Sequence, residues 1–520
     1  MYEDMLAMKN KIKVFIFIYI VSFAPVLNQP LSAEPEPPLT ILTLDDVRVA
    51  LEKTRIFRDA DMSKLDLSGF DLGKTVFYNS ALKETLLKNS KLTDSLLTSA
   101  KMSSCDLQDA DMTGIKIDDS DLTMSNLRGA NVTCGLIISN IMKGANLSGA
   151  KIRYGTILDT DLSSAVMSNT NLSFSFIRSD LSNAELINAD MHGAYLSNAI
   201  LKNANMGNVN LSAAKIEDLN MKGSAEDHAN LSNANMSYAS IMSSKMDYVC
   251  LAGAYMKGIF MDKVDLSSAD LRNAILTSAL ITNSEMGEAD LRHAILVNAI
   301  LKGVEFSGAN MSDADLRKTN LSNAVMPKAI MNSVDLTGSD LRGANLKNAN
   351  LSGAKIESVK LDNADLTDAV LDEAILKNAN INKAILKGAS FKNVDLKDFD
   401  FSGIRMNKAR LSGAVLNGVN FSNADLSSAA LVKCNLDNAN FTGSNLSHAD
   451  LSGANLEGAN FAGCNLKNAV LINANMNGAD LQYADIKGAD FTGVDLDRIK
   501  NLNQTKNLDK VKGADITVSE

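Results

Sequence analysis

The chain has no tryptophan, and aromatic residues fill 5% of its 520 positions. With a mean hydropathy of −0.02, that scarcity excludes a thick core built on large rings and leaves a thin, aliphatic interior. Proline is rare too, with six residues, five of them before residue 39. There are four histidines and five cysteines, and an odd cysteine count does not suit a disulfide framework. Long hydrophobic runs are absent: the longest, from Val14 to Leu27, is short of the roughly 20 residues that span a bilayer. A basic excess is missing as well. The net charge is −10, which argues against a nucleic-acid binder with its basic stripe.

What the chain has in abundance is one short pattern. From Ser339 to Ile356 it reads Ser-Asp-Leu-Arg-Gly, Ala-Asn-Leu-Lys-Asn, Ala-Asn-Leu-Ser-Gly, Ala-Lys-Ile. A small residue, an Asp or Asn, a large apolar residue and two small or polar residues recur every five positions. Five fits neither regular element: on an α-helix, successive Leu residues would scatter by about 500°, and on a flat strand they would alternate faces. The backbone must turn once per quintet if Leu341, Leu346 and Leu351 are to share one interior. A chain that turns repeatedly with one face inside is a solenoid of short strands.

The aromatics give the size of a coil. Phe401, Phe421, Phe441 and Phe461 all occupy the apolar centre, each four quintets after the last. A coil of four quintets has four sides and stacks these rings on one wall. This pattern resembles the pentapeptide-repeat proteins, whose consensus is Ala-(Asp or Asn)-Leu-X-X. The resemblance covers most of the chain and implies an all-β, right-handed quadrilateral parallel β-helix. Centres run from Met62 to Ile177 and again from Leu181 to Leu496 in steps of five. Position 226 included, they make 88 quintets or 22 coils, a rod of roughly 105 Å at about 4.8 Å per coil.

Five segments follow. Residues 1–33 read as a signal peptide, with Lys9, Lys11 and Lys13 before the apolar run and Leu31-Ser32-Ala33 at its end; Met8 is an alternative start. Residues 34–42 form a proline-rich spacer. Residues 43–54 are an N-terminal capping helix, opened by Thr43 and Asp46 with Leu44, Val47 and Leu51 on one stripe; such a cover is what an open first coil needs. Residues 55–498 are the repeat solenoid, and residues 499–520 a C-terminal cap or tail. Between Leu172 and Leu181 one residue is missing, so a bend or bulge is expected there, with Phe176 or Ile177 as the local centre. Ile259, Phe399 and Ile404 stand where the pattern has Ala and should widen the wall. Glu226 falls where an apolar centre belongs; burying it unpaired would cost several kcal/mol, so its segment should swing out as a loop. The Asp or Asn before each centre should bond the adjoining turn and form ladders, and the methionines at the centres between Met191 and Met331 should serve as core packing.

Candidate chemistry dissolves under this register. Gly69-Phe70-Asp71-Leu72-Gly73-Lys74-Thr75 has three residues between its glycines where a phosphate loop needs four, and Leu72 is a repeat centre. His192, His228, His293 and His448 fall on distant coils; His228 and His448 share a wall but stand 11 coils, or roughly 50 Å, apart. Cys105, Cys434 and Cys464 replace the corner Ala as small apolar residues, the last two on opposite walls. Asp ladders bind Ca²⁺ when carboxylates converge, but here Asn interrupts them. No catalytic, cofactor-binding or metal residue, and no cofactor, is expected.

The best-understood members of the family resemble duplex DNA and protect type II topoisomerases. DNA of the rod's length carries roughly 60 charges at one per about 1.7 Å, against a net −11 for the chain without residues 1–33, and the outward positions mix in Lys302, Arg317, Lys318, Arg342 and Lys347. The expected function is therefore an exported, non-catalytic scaffold, periplasmic or secreted, whose walls contact a protein or cell-envelope partner. It binds no nucleic acid and keeps no membrane span after signal removal. A DNA-mimicking topoisomerase protector and a secreted effector are the alternatives. The resemblance also offers the C-terminal end as a dimer interface.

Overall fold

The computed structural model describes residues 38–397 and 399–513. The expected signal peptide, the first part of the spacer (34–37) and the tail beyond residue 513 lie outside them. From Ile41 onward the chain forms one compact unit, a parallel β-solenoid with a single helix at its start.

One quintet shows how five residues make a side of the coil. Leu346 is fully buried, and its N–H donates to the carbonyl of Asp365 in the next coil at 2.7 Å. Asn345 N–H reaches back to Ala324 O at 2.9 Å, and Ala349 N–H closes the turn on Leu346 O at 3.0 Å. Between them Asn348 adopts φ 56°, the left-handed region that Gly and Asn tolerate best. This left-handed residue recurs two places after the centre throughout; where it is glycine, as in Gly343 (φ 68°), the strain vanishes. The residue before the centre completes the turn: Asn345 Oδ1 accepts from Lys347 N at 3.2 Å, and Asn350 Oδ1 from Ser352 N at 3.1 Å. Across coils these amides stack as expected, Asn440 donating to Asn420 (3.2 Å) and Asn465 to Asn445 (2.9 Å).

Partners lie one coil apart along four lines, begun by Ile56 with Val76, Asp61 with Ala81, Asp66 with Leu86 and Asp71 with Lys91. The first line carries regular strands for twelve turns, from Ile56–Arg58 to Leu280–Thr282, all in one parallel sheet. Where the sequence predicts 22 coils, regular strands mark twelve; beyond Leu280 most of the same line continues as single-residue bridges, Leu280 with Ile300 and on to Asp480 with Lys500. The count of centres also shifts at one end. Phe57, not Met62, is the first, being 2% exposed and stacked on Phe77 with centroids 5.3 Å apart. The rings of Phe401, Phe421, Phe441 and Phe461 stack down the same wall at 5.2, 5.3 and 4.9 Å. The methionine centres, among them Met206, Met236, Met261 and Met311, are fully buried.

The helix spans Leu44–Lys53 and opens with a capping box. Asp46 N–H donates to Thr43 Oγ1 at 3.3 Å, and Asp46 Oδ2 accepts from Thr43 N at 2.8 Å. Val47 is fully buried over the first coil with Leu44 and Leu51 partly covered. Arg55 fastens the link by donating to the carbonyls of Asp71 (3.2 Å) and Gly73 (2.7 Å). At the other end three single-turn 3-10 helices, Leu496–Arg498, Leu502–Gln504 and Leu508–Lys510, replace the repeat. They still pair with the last coil, Asp485 with Lys506 and Asp490 with Lys512, and lean Leu502, Leu508 and Val511 on the core.

Three interruptions break the period. At the short coil, Phe176 pairs with Thr156 on one side and Tyr195 on the other, the second step being one residue short. Ile177 is the buried centre, and the register slips between Leu158 and Asp161, so the expected bulge is present. At the second, Lys215 pairs with Ser240, a step longer by one quintet: that quintet leaves the wall, and residues 223–228 lie on the surface with Glu226 exposed. The third lies at Phe399. Ile259 fits its corner fully buried with the ladder intact, so a branched aliphatic does not widen the wall. Phe399 cannot tuck in; its ring sits half-buried against Phe401, with centroids 5.6 Å apart. There the bridges from Ile375 and Asn380 to the next coil are missing, and a cleft of about 870 Å³ opens.

Candidate functional site

Every fifth residue is committed to the interior, so whatever the protein recognises must meet the outward positions. Some of the charges there are paired locally. Arg317 Nη2 lies 2.6 Å from Asp315 and Arg342 Nη2 lies 2.6 Å from Asp340, each two residues along the same quintet. Hydrogen bonds from these guanidiniums hold the Asp315 and Asp340 carboxyls below the usual range. Other pairs cross from coil to coil, as Lys347 does to Asp365 and Lys467 to Asp485, both at 3.1 Å. The walls thus mix both signs of charge, with 51 Lys and Arg against 61 Asp and Glu in the chain, unlike the continuous anionic rows of a nucleic acid.

The cysteines and histidines are dispersed. Cys105 and Cys434 are buried corner residues whose thiols donate to the carbonyls of Leu82 (2.6 Å) and Leu411 (2.9 Å) in the preceding coil. Ser125 and Ser339 make the same bond to Met102 and Leu316, which shows that the corner accepts a small donor in place of Ala. Burial pushes the thiols of Cys105, Cys434 and Cys464 up to about 12. Cys134 is exposed. His293 and His448 fill left-handed turn positions with φ 59° and 60°, His228 stands in the looped-out quintet, and His192 Nδ1 lies 2.9 Å from Ser212 Oγ. The structure brings no two of these histidines together.

One surface cluster was not foreseen. Tyr154 and Phe174 occupy the left-handed turn position in consecutive coils and stack at 5.3 Å, with Arg153 over the Tyr154 ring at 4.8 Å. His192 meets Phe174 edge-on at 5.2 Å. On the neighbouring wall Phe176 and Tyr195 meet edge-to-face at 5.2 Å, and Tyr195 Oη donates to Glu217. Tyr154 remains 52% exposed. These rings lie outside the core, at the short coil. The signal was in the sequence as two aromatics one coil apart at a turn position, which a period built on the apolar centres passes over.

Two family profiles match the chain. The profile described as pentapeptide repeats matches eight stretches, 95–133, 175–212, 244–283, 284–323, 329–368, 349–388, 360–398 and 459–498. A second profile, the pentapeptide repeat region, matches 384–461. No curated protein sequence matches the chain. Among solved structures, HetL, a pentapeptide repeat protein involved in heterocyst differentiation regulation from the cyanobacterium Nostoc sp. strain PCC 7120, is 25% identical over 44% of this chain and 90% of its own, with a TM-score of 0.19. A pentapeptide repeat protein of the Arabidopsis thaliana thylakoid lumen is 36% identical over 21% of this chain and 70% of its own, TM-score 0.14. QnrB1, a plasmid-mediated fluoroquinolone resistance protein, is 14% identical over 42% and 85%, TM-score 0.20.

Proposed function

The chain belongs to the pentapeptide-repeat family, and we propose that it is an exported, non-catalytic scaffold that binds a protein or cell-envelope partner through side chains fixed on its outer walls. The observation that carries this reading is the aromatic cluster of Tyr154, Phe174, Phe176 and Tyr195. Aromatic residues and Arg are what interface cores are enriched in, and here they are held at coil spacing by a hydrogen-bonded ladder. Such a surface loses little freedom on binding, which favours affinity. Export rests on the basic residues and apolar run ahead of the spacer. The scaffold performs no chemistry of its own: it presents two outward positions per quintet, and partners read them.

Pull-down from an envelope fraction with the chain lacking residues 1–33, beside the Tyr154→Ala/Phe174→Ala variant, tests the reading. Capture of a partner that the double variant loses supports it; equal capture by both removes the cluster from recognition. Cell fractionation tests export, and a cytosolic pool would overturn it. The mixture of Lys and Arg with Asp and Glu on the walls weighs against DNA mimicry, which a supercoiling-inhibition assay decides.

A further inference from the structure

One wall of the solenoid departs from the repeat from Ile56 to Ile300. The other three walls carry Asp or Asn repeatedly before their centres, and there Asp121, Asn146 and Asn171 each accept from the N–H two residues on. On the wall that begins with Ile56, no residue before a centre is Asp or Asn until Asn320. Most are apolar, among them Val76, Leu96, Leu136, Phe176 and Phe260. Without the competing side-chain acceptor the segment stays extended, a form that branched and aromatic residues favour. This wall accordingly holds the twelve-stranded sheet. In each strand the centre is buried and its two neighbours face out half-covered, as Val76 and Tyr78 do around Phe77, and Leu136 and Ile138 around Ile137. The outcome is an apolar strip along the outside of the rod. Two of its strands carry a base and an acid together, Lys116 with Asp118 and Lys215 with Glu217, the base preceding the centre in both.

We propose that a second copy of this chain packs on this strip, the two rods side by side and parallel, related by a two-fold axis along the rod. Sheets that pack face to face lie about 10 Å apart with their side chains interdigitated. About such an axis, the residue before a centre meets the residue after the same centre in the other copy. Lys116 then faces Asp118 of the second copy and Lys215 faces its Glu217, and the symmetry makes each contact twice. The antiparallel alternative sets like places against each other. No residue before a centre from Ile56 to Ile300 is acidic, so there neither lysine would meet an acid. The charges thus select one arrangement out of two, which is the part that charges play at interfaces. Arginines on the strip are met within their own copy: Arg178 pairs with Asp159, and Arg58 lies over the Tyr78 ring at 4.5 Å. Twelve strands at about 4.8 Å and three residues at about 3.3 Å make a strip of roughly 55 by 10 Å. Two copies would cover about 1,100 Å² before the relief of the side chains is added, close to the roughly 1,200 Å² at which stable interfaces begin. The inference goes beyond the scaffold reading: Phe176 and Tyr195 turn to the second copy, while Tyr154 and Phe174, at turn positions of the neighbouring wall, stay outside the contact.

Sedimentation equilibrium on the chain lacking residues 1–33, which keeps every described residue, should show twice the monomer mass as the concentration rises from about 1 to about 100 µM. Lys116→Glu/Lys215→Glu makes all four charged places acidic, and Asp118→Lys/Glu217→Lys makes them all basic. Each variant alone should dissociate at least about tenfold more readily. An equimolar mixture of the two should form a heterodimer, because every cross pair regains opposite signs, and that recovery also shows both variants to be folded. Leu96→Asn/Leu136→Asn installs the residue that the other walls carry and should weaken association by a similar factor, with the circular dichroism unchanged. A monomer throughout the range, a dimer indifferent to the charge variants, or a mixture no tighter than its components would each overturn the proposal. So would a monomer that floats with phosphatidylglycerol vesicles, which would give the strip to a lipid surface instead. Tyr154→Ala/Phe174→Ala should leave the mass unchanged, so the pull-down and the sedimentation fail independently.

Discussion

Replacing Leu346 by Asp tests the arrangement on which every other statement depends. Leu346 is fully buried in mid-solenoid, between Met326 and Leu366 on the same wall, all three at 0–1% exposure. Shortening the side chain to Ala should cost about 2–5 kcal/mol, from lost burial and the cavity left behind. A carboxylate adds the desolvation of an unpaired charge, several kcal/mol more, unless the group stays protonated. The sum is on the order of a whole domain's stability, about 5–15 kcal/mol. A solenoid's stability is a sum over neighbouring coils, so the damage should appear as a new low-urea transition in which the coils around 346 melt first. The control is Lys347→Gln. Lys347 is half-exposed and its Nζ lies 3.1 Å from Asp365, so losing that pair should shift stability by no more than about 1 kcal/mol. Lys347→Asp is a poorer control because it would set a second carboxylate beside Asp365. Urea unfolding followed by circular dichroism gives the comparison across Leu346→Ala, Leu346→Asp and Lys347→Gln. Coincident curves for Leu346→Asp and Lys347→Gln would refute the inward placement of the centres.

Deleting residues 222–226 should leave Met221-Asp227-His228-Ala229-Asn230-Leu231, a regular quintet with His at the turn position that His293 and His448 already occupy; the expected result is an unchanged or raised melting temperature, and a large loss would show that the looped-out segment is structural. Asp315 and Asp340 are held below the usual carboxyl range, so their contribution is fully present above the unfolded value near 3.9 and is lost as pH falls through the lower folded value. Arg317→Gln with Arg342→Gln should flatten that acid limb by lowering the neutral plateau toward the acid value, which itself changes little, as pH-dependent melting between about pH 7 and 2 will record. Under native conditions an alkylating reagent should modify exposed Cys134 well before Cys105, Cys434 and Cys464, whose thiols burial pushes up to about 12; mass spectrometry of the peptides reads the order.

The inward register was legible because burial is what a period of five selects: Leu346, Met236 and Phe421 are apolar for the same reason wherever they fall. The capping helix was legible for a different reason, since Thr43 and Asp46 satisfy helix-end donors that only local sequence can supply. Less visible was the left-handed residue two places after each centre. Asn348 and Gly343 look merely small or polar, yet they are the residues that tolerate φ near 60°, and His448 or Tyr154 can stand there once the ladder holds the backbone. Phe57 escaped because no Ala or Asp precedes it; its stacking on Phe77, a full coil further on, is a long-range fact. Ile259 and Phe399 show where composition stops being informative. Both replace a corner Ala, but whether the wall absorbs the added volume depends on the shape of the space, and only the flat ring failed to fit.

In a regular coil each backbone N–H that faces a neighbour is paired, each centre is sealed, and the outer charges mix both signs. Such a coil offers a partner little beyond side-chain shape, because an extra strand has nothing to bond and no field draws it in. Recognition should therefore concentrate at departures from the period, and each departure here exposes something the regular coil hides. The short coil at Phe176 turns aromatic rings outward, the long one at Lys215 frees a loop with Glu226, Asp227 and His228, and the corner at Phe399 uncovers backbone. The three differ in kind because the errors differ: a missing residue, an extra quintet and an oversized side chain. If binding instead followed the regular walls, substitutions there, such as Arg342→Gln, would weaken capture as much as Tyr154→Ala, and the interruptions would be tolerated defects of a long repeat.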